Sequence, residues 1–109
     1  MAILIDEPLW WFSGRRWSHL VSDTSLDELI AFADAAGIPR RGFQGDHYDV
    51  PEEYYPAMVA AGAVPTPSRE LLQRLKAAGL RLDAAQRRAR RTDHPANDHE
   101  AVVHGQPDR

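Results

Sequence analysis

The sequence contains no cysteine. That absence excludes disulfides, thiolate metal ligands and a cysteine nucleophile, and it accords with a reducing compartment. Nowhere is there an uninterrupted apolar run of the roughly eighteen residues that would suit a membrane span, nor a basic stretch followed by an apolar core at the start. The expectation is a cytoplasmic protein with no membrane partner. Phosphate-cradling glycine loops of the Walker and dinucleotide types are missing, as is a GxSxG turn, which disfavours nucleoside triphosphate hydrolysis, nicotinamide chemistry and a serine nucleophile elbow. Broad positive charge is lacking too. Residues 1 to 80 hold seven Lys/Arg against eleven Asp/Glu, and only Arg87, Arg88, Arg90 and Arg91 form a basic cluster. Such a cluster either touches a phosphate backbone or is a solvated helix end.

What is present is ordinary globular composition: 109 residues, 43% hydrophobic and 27% charged, the size of one compact domain. A core this small leaves much surface exposed, so stability must come from close packing, an oligomer interface or a ligand. The apolar patterning stops near Asp83, which sets a single domain over residues 1–82 and a polar tail, partly helical or disordered, over 83–109.

Within the domain, the apolar run Ala2 to Ile5 predicts a strand covered on both faces, with Asp6 at its carboxyl end. Leu9 to Trp17, rich in Trp and Arg, reads as an ordered loop, and Leu20 and Val21 as a short strand. Ser25 with Glu28 matches a capping box ahead of helical spacing at Leu26, Leu29, Ile30 and Ala33, and Gly37 ends that helix. Asp49 suits the cap of a second helix running to Ala61, with Pro56 forcing a kink or a late start. Ala63 to Pro65 reads as a strand. A third helix starts at Thr66 and Pro67 and buries Leu71, Leu72, Leu75 and Ala78, and Leu80 to Leu82 reads as a last strand. The order of elements predicts an α/β fold: a small, mostly parallel sheet of three to four short strands with about three helices, plus the polar C-terminal tail.

The residues Gly14-Arg15, Trp17-Ser18-His19-Leu20-Val21-Ser22-Asp23-Thr24 and His47-Tyr48-Asp49-Val50 give the chain a second kind of information. With the opening strand, Glu28-Leu29 and Gly62-Ala63-Val64, they resemble the DUF4031 family of short bacterial and phage proteins over about residues 1 to 80. The resemblance implies a fold unit and a motif set without an activity. It points to Asp6, Arg15, His19, Asp23, His47 and Asp49 as the polar positions of interest.

Chemistry at these positions follows from residue type. His19 and His47 are the two histidines of the domain, each near a carboxylate, and imidazole with carboxylate either moves protons near neutral pH or binds a divalent metal that activates water. Arg15 offers a planar fork for an anion beside a glycine. Against this stand plain structural readings: Asp49 as a helix cap, His19 satisfied by Asp23, Arg15 stacked on tryptophan. The leading expectation is a pocket with His19, His47 and Asp49 as catalytic groups and Asp6, Arg15, Trp17, Asp23 and Tyr48 as ligand-binding groups. It takes an anionic or phosphorylated small molecule, with a divalent metal as candidate cofactor and metal-assisted hydrolysis as candidate reaction. The alternatives are a noncatalytic module whose Trp-rich segment meets a protein partner, because adjacent Trp10 and Trp11 cannot both point inward, and nucleic-acid binding through Arg87 to Arg91. His94, His99 and His104 recur along the tail.

Overall fold

The computed structural model describes residues 2–92. Strand β1 (Ile3–Ile5) is buried throughout. Because successive side chains on a strand point to opposite faces, Ile3 and Ile5 join one apolar cluster with Leu29 and Ala33, whereas Leu4 joins another with Val21, Leu71 and Leu75. A continuous apolar run is what such double coverage demands.

The segment expected to be a loop is a hairpin. Strand β2 (Trp10–Phe12) reverses through Ser13 and Gly14, at φ 56° and 80°, into β3 (Arg15–Ser22). Two successive left-handed residues are the signature of the tight turn whose twist matches antiparallel strands. Register pairs Trp10 with Trp17, and their rings stack at 5.7 Å between centroids. The Ser-Gly turn signal lies in plain sight in the sequence, but the aromatic and cationic residues around it mask the strand alternation.

Strand β4 (Tyr48–Pro51) pairs antiparallel with β3, and β5 (Val64–Pro65) runs parallel to β1. The sheet therefore has five strands and is mixed, with the β1–β5 pairing parallel and the other three antiparallel. This corrects the expected mostly parallel sheet of three to four strands. A two-residue turn can only send the chain back antiparallel, and a parallel neighbour needs a long crossover.

Four α-helices occur among the described residues: α1 (Leu26–Ala36), α2 (Tyr55–Ala60), α3 (Ser68–Ala77) and α4 (Ala84–Thr92). Ser25 caps α1 by accepting the Glu28 N–H, and Gly37 closes it at φ 85°. Asp49 caps nothing: it lies inside β4, and α2 starts late, with Pro56 in its first turn. Thr66 does not cap α3 either, because its hydroxyl donates to the Val64 carbonyl. Leu80 to Leu82 form no strand, and the Leu82 N–H is used elsewhere.

Helix α1, with Met58 of α2, covers one face of the sheet, and Leu71 and Leu75 of α3 cover the other. Each fully buried Leu or Ile contributes about 1.5–3 kcal/mol, so two covered faces let a chain of this size hold together without cross-links. Helix α4 is docked through Arg87, which is buried and donates to the Leu82 carbonyl at 2.7 Å. Gly45, at φ 100°, lies so close that a Cβ there would stand 2.9 Å from the Arg87 Cα. The tail thus begins as a packed helix. Residues beyond 92, including His94, His99 and His104, lie outside the described residues.

Candidate functional site

An interruption in the sheet creates the site. Strands β1 and β2 both pair with the same edge of β3, yet between Ile5↔Leu20 and Trp10↔Trp17 four residues, Asp6 to Leu9, face only two, Ser18 and His19. Extra residues in one strand bulge and re-aim side chains, and Pro8 among them has no N–H to give to a ladder. The Asp6 carboxylate fills the gap. Its Oδ1 accepts the His19 backbone N–H at 2.6 Å, while Oδ2 lies 2.9 Å from His19 Nδ1 and accepts the Ser68 hydroxyl at 2.7 Å. Burial pushes the Asp6 pKa up, but the hydrogen bonds and charge of His19 outweigh it, and the net shift is downward.

A tight turn builds the second half. The Gln44 N–H donates to the His47 carbonyl at 2.7 Å, and Phe43 bridges to Tyr48 across the turn. This arrangement buries Asp46 and His47 completely or nearly so. His47 Nδ1 lies 2.7 Å from Asp46 Oδ1, and its Nε2 lies 3.1 Å from Asp49 Oδ1. Burial opposes a charge on His47, yet the hydrogen bonds to Asp46 and Asp49 win and raise its pKa. Asp46 shifts down by the same contest, with its Oδ2 accepting the Leu82 N–H at 2.8 Å and facing the Arg81 guanidinium at 3.6 Å.

Register then joins the halves. Asp49 pairs with His19 across β3 and β4, so both side chains leave the same face of the sheet. The two imidazoles meet edge to face with centroids 5.4 Å apart, and Trp10 covers His19 at 5.6 Å. One ligand atom each from His19, His47 and Asp49 falls within 4.8 Å of the others. Since His19 Nδ1 is held by Asp6, the nitrogen left over is Nε2. Each ionised group costs several kcal/mol to bury, so three buried carboxylates around two histidines are a large expense for so small a core. Unlike Leu-on-Leu packing, they have chemistry to offer.

Of the residues expected from sequence, Asp6, His19, His47 and Asp49 converge. Trp17 stacks behind Trp10 and donates its indole N–H to the Phe12 carbonyl. Arg15 does not reach the centre: it is four residues from His19 along an extended strand, roughly 13 Å, and pairs with Glu53. Tyr48 points to the opposite face, packed with Phe43, and burial together with the Asp34 carboxylate pushes its hydroxyl up to about 12. Of the tryptophans, Trp10 turns inward and Trp11 is 66% exposed. Sequence reasoning placed Asp46 beside His47 as a neighbouring carboxylate without counting it among the site residues, and gave no role to Ser68 or Arg81. Asp46 carried a signal, its place next to His47, whereas Ser68 and Arg81 arrive through tertiary folding alone.

Asp23 also stands apart. It accepts the Ala2 N–H at 2.8 Å and the Arg74 guanidinium, and the Ala2 bond, followed by the Arg74 and Thr24 bonds, lowers its pKa to about 2. A depressed carboxylate stabilises the fold above its unfolded pKa and ceases to do so as pH falls through the folded value. Urea midpoints are therefore expected to drop more steeply between about pH 4 and pH 2 for the wild type than for Asp23→Asn. Parallel curves would remove Asp23 from acid stability.

Beside the histidines lies a cavity of about 210 Å³. Asp6, His19, His47, Ser68 and Arg81 supply its polar side, and Val21, Leu71, Leu72 and Leu75 its apolar wall. No described helix is long and apolar enough to cross a membrane.

The fold and the cluster together define a small α/β protein with a buried histidine and carboxylate centre at a break in its sheet. Residues 3–78 match the family model described as Protein of unknown function (DUF4031), and the chain belongs to that family. No curated protein and no solved structure matches it.

Proposed function

We propose that the chain binds a divalent cation through His19 Nε2, His47 Nε2 and Asp49, and uses it as a metal-assisted hydrolase of a small anionic molecule. The observation that carries this reading is the double relay. Each histidine has Nδ1 on a buried carboxylate, Asp6 for one and Asp46 for the other, and both stand against Asp49. That arrangement fixes the ring, the tautomer and the basicity of a metal-ligating histidine. Two histidines and one carboxylate leave a further position for water, whose pKa a divalent cation lowers towards neutrality.

The remaining residues supply what such chemistry needs. Arg81 faces the cavity as the cation for an anionic group, taking the part expected of Arg15, and Trp10 shields one side of His19. His47, held between two carboxylates, would release its Nε2 proton to solvent when a cation takes that nitrogen.

Isothermal titration of the full chain with Zn²⁺ and Mn²⁺ tests the reading. We expect one site per chain, a binding heat that varies linearly with buffer ionisation enthalpy because protons are released, and stabilisation of about 2.7 kcal/mol when the free metal is a hundred times Kd. His19→Ala and Asp49→Asn abolish the site. Unaltered titration curves in both variants would refute it.

A further inference from the structure

The cavity sets a polar side that includes the Arg81 guanidinium against a continuous apolar wall, and this asymmetry specifies a ligand. Arg81 lines the cavity, and its one charged neighbour among the described residues is Asp46, an ion pair at 3.6 Å that is longer than a hydrogen bond and leaves guanidinium donors for a ligand. Opposite stand Val21, Leu71, Leu72 and Leu75, none of which can answer a sugar hydroxyl or a base edge. The volume of about 210 Å³ equals about seven liquid waters. That is below the roughly 300–1,000 Å³ of sites that take larger ligands, and it suits a short organic acid.

Charge sets the number of ionised groups the ligand can carry. Asp6, Asp46 and Asp49 bring three negative charges to the centre, balanced by Arg81 and a divalent cation. A monoanion leaves one net negative charge. A dianionic phosphate monoester leaves two, repelled by carboxylates that have almost no water to screen them. We propose that the pocket takes a small apolar monocarboxylate, its hydrocarbon part on Val21, Leu71, Leu72 and Leu75 and its carboxylate between Arg81 and the His19 side of the centre. The carboxylate's contact with a metal rests on the preceding section; the apolar selectivity and the use of Arg81 do not.

The experiment is a titration of the full chain with acetate, butyrate, hexanoate, benzoate, phenyl phosphate and hexylammonium, once loaded with Zn²⁺ and once in EDTA. Trp10 lies against His19, so intrinsic fluorescence reports binding alongside calorimetry. Each added methylene is expected to tighten carboxylate binding about fourfold, until the cavity fills. Benzoate binds more tightly than phenyl phosphate, and hexylammonium does not compete. Arg81→Gln weakens hexanoate at least about tenfold, the scale of a charge-assisted hydrogen bond. Leu72→Asp removes the chain-length preference. Both positions are partly exposed, and the chain-length series on the unsubstituted protein decides the matter even where a variant folds poorly. A preference that persists in EDTA with no Zn²⁺ binding upholds the pocket and sinks the metal reading. Equal affinity for acetate and hexanoate, tighter binding of phenyl phosphate than of benzoate, or an Arg81→Gln variant with wild-type affinity overturns the proposal.

Discussion

Replacing His47 with alanine is expected to cost the metal-free protein about 3–5 kcal/mol, because it takes the imidazole from two buried carboxylates at once. Asp46 and Asp49 are 0% and 1% exposed, and both bond to the same imidazole. Asp46 keeps the Leu82 N–H and the distant Arg81 charge, which do not replace a hydrogen-bonded cation. Against a total stability of about 5–15 kcal/mol, such a loss takes much of the margin. Equilibrium urea denaturation at neutral pH measures it, and a double-mutant cycle with Asp49→Ala isolates the coupling. The double variant should recover part of the loss, since one of the two buried charges goes with the imidazole. A single-variant loss below about 1 kcal/mol would mean that water reaches the cluster and the burial argument fails.

The second large effect concerns a residue that never touches the proposed cation. Asp6→Asn preserves shape and can still accept the His19 backbone N–H. At the position of Oδ2, however, it presents an amide donor to His19 Nδ1. The imidazole must then accept at Nδ1 and carry its proton on Nε2, the nitrogen proposed to hold the cation. We expect Zn²⁺ affinity to fall about 10–100-fold, the usual scale for loss of an outer-shell partner, with the circular dichroism spectrum unchanged. Ser68→Ala removes one bond to the same carboxylate without altering the tautomer and should change affinity far less. Equal Zn²⁺ affinities for wild type and Asp6→Asn would show that Asp6 is only a sheet fastener.

These two residues also show what a sequence can reveal. Strand β1, helix α1 with its Ser25 cap and Gly37 stop, and the Leu71 and Leu75 stripe are written in local periodicity, which short-range physics enforces. Sheet direction is not. It turned on the Ser13–Gly14 reversal, and without that hairpin the alternation of strands and helices suggests parallel pairing. The centre itself was half legible: Asp6, His19, His47 and Asp49 stand out as chemistry-bearing types. Arg15 was misplaced because spacing along the chain carries no distance until the element is known; four residues lie close on a helix and far apart on a strand. Arg81 and Ser68 bore no mark, because their contribution exists only once α3 has folded across the sheet.

The bond from the Leu82 N–H to Asp46 has one more consequence. The family match ends at residue 78, short of both Arg81 and Leu82. A chain cut at that point would keep both histidines and every carboxylate of the centre, yet one of its buried acids would lose its backbone donor and the cavity its cation. The family match and the cluster's packing end on different lines here, and the few residues between them complete the cavity.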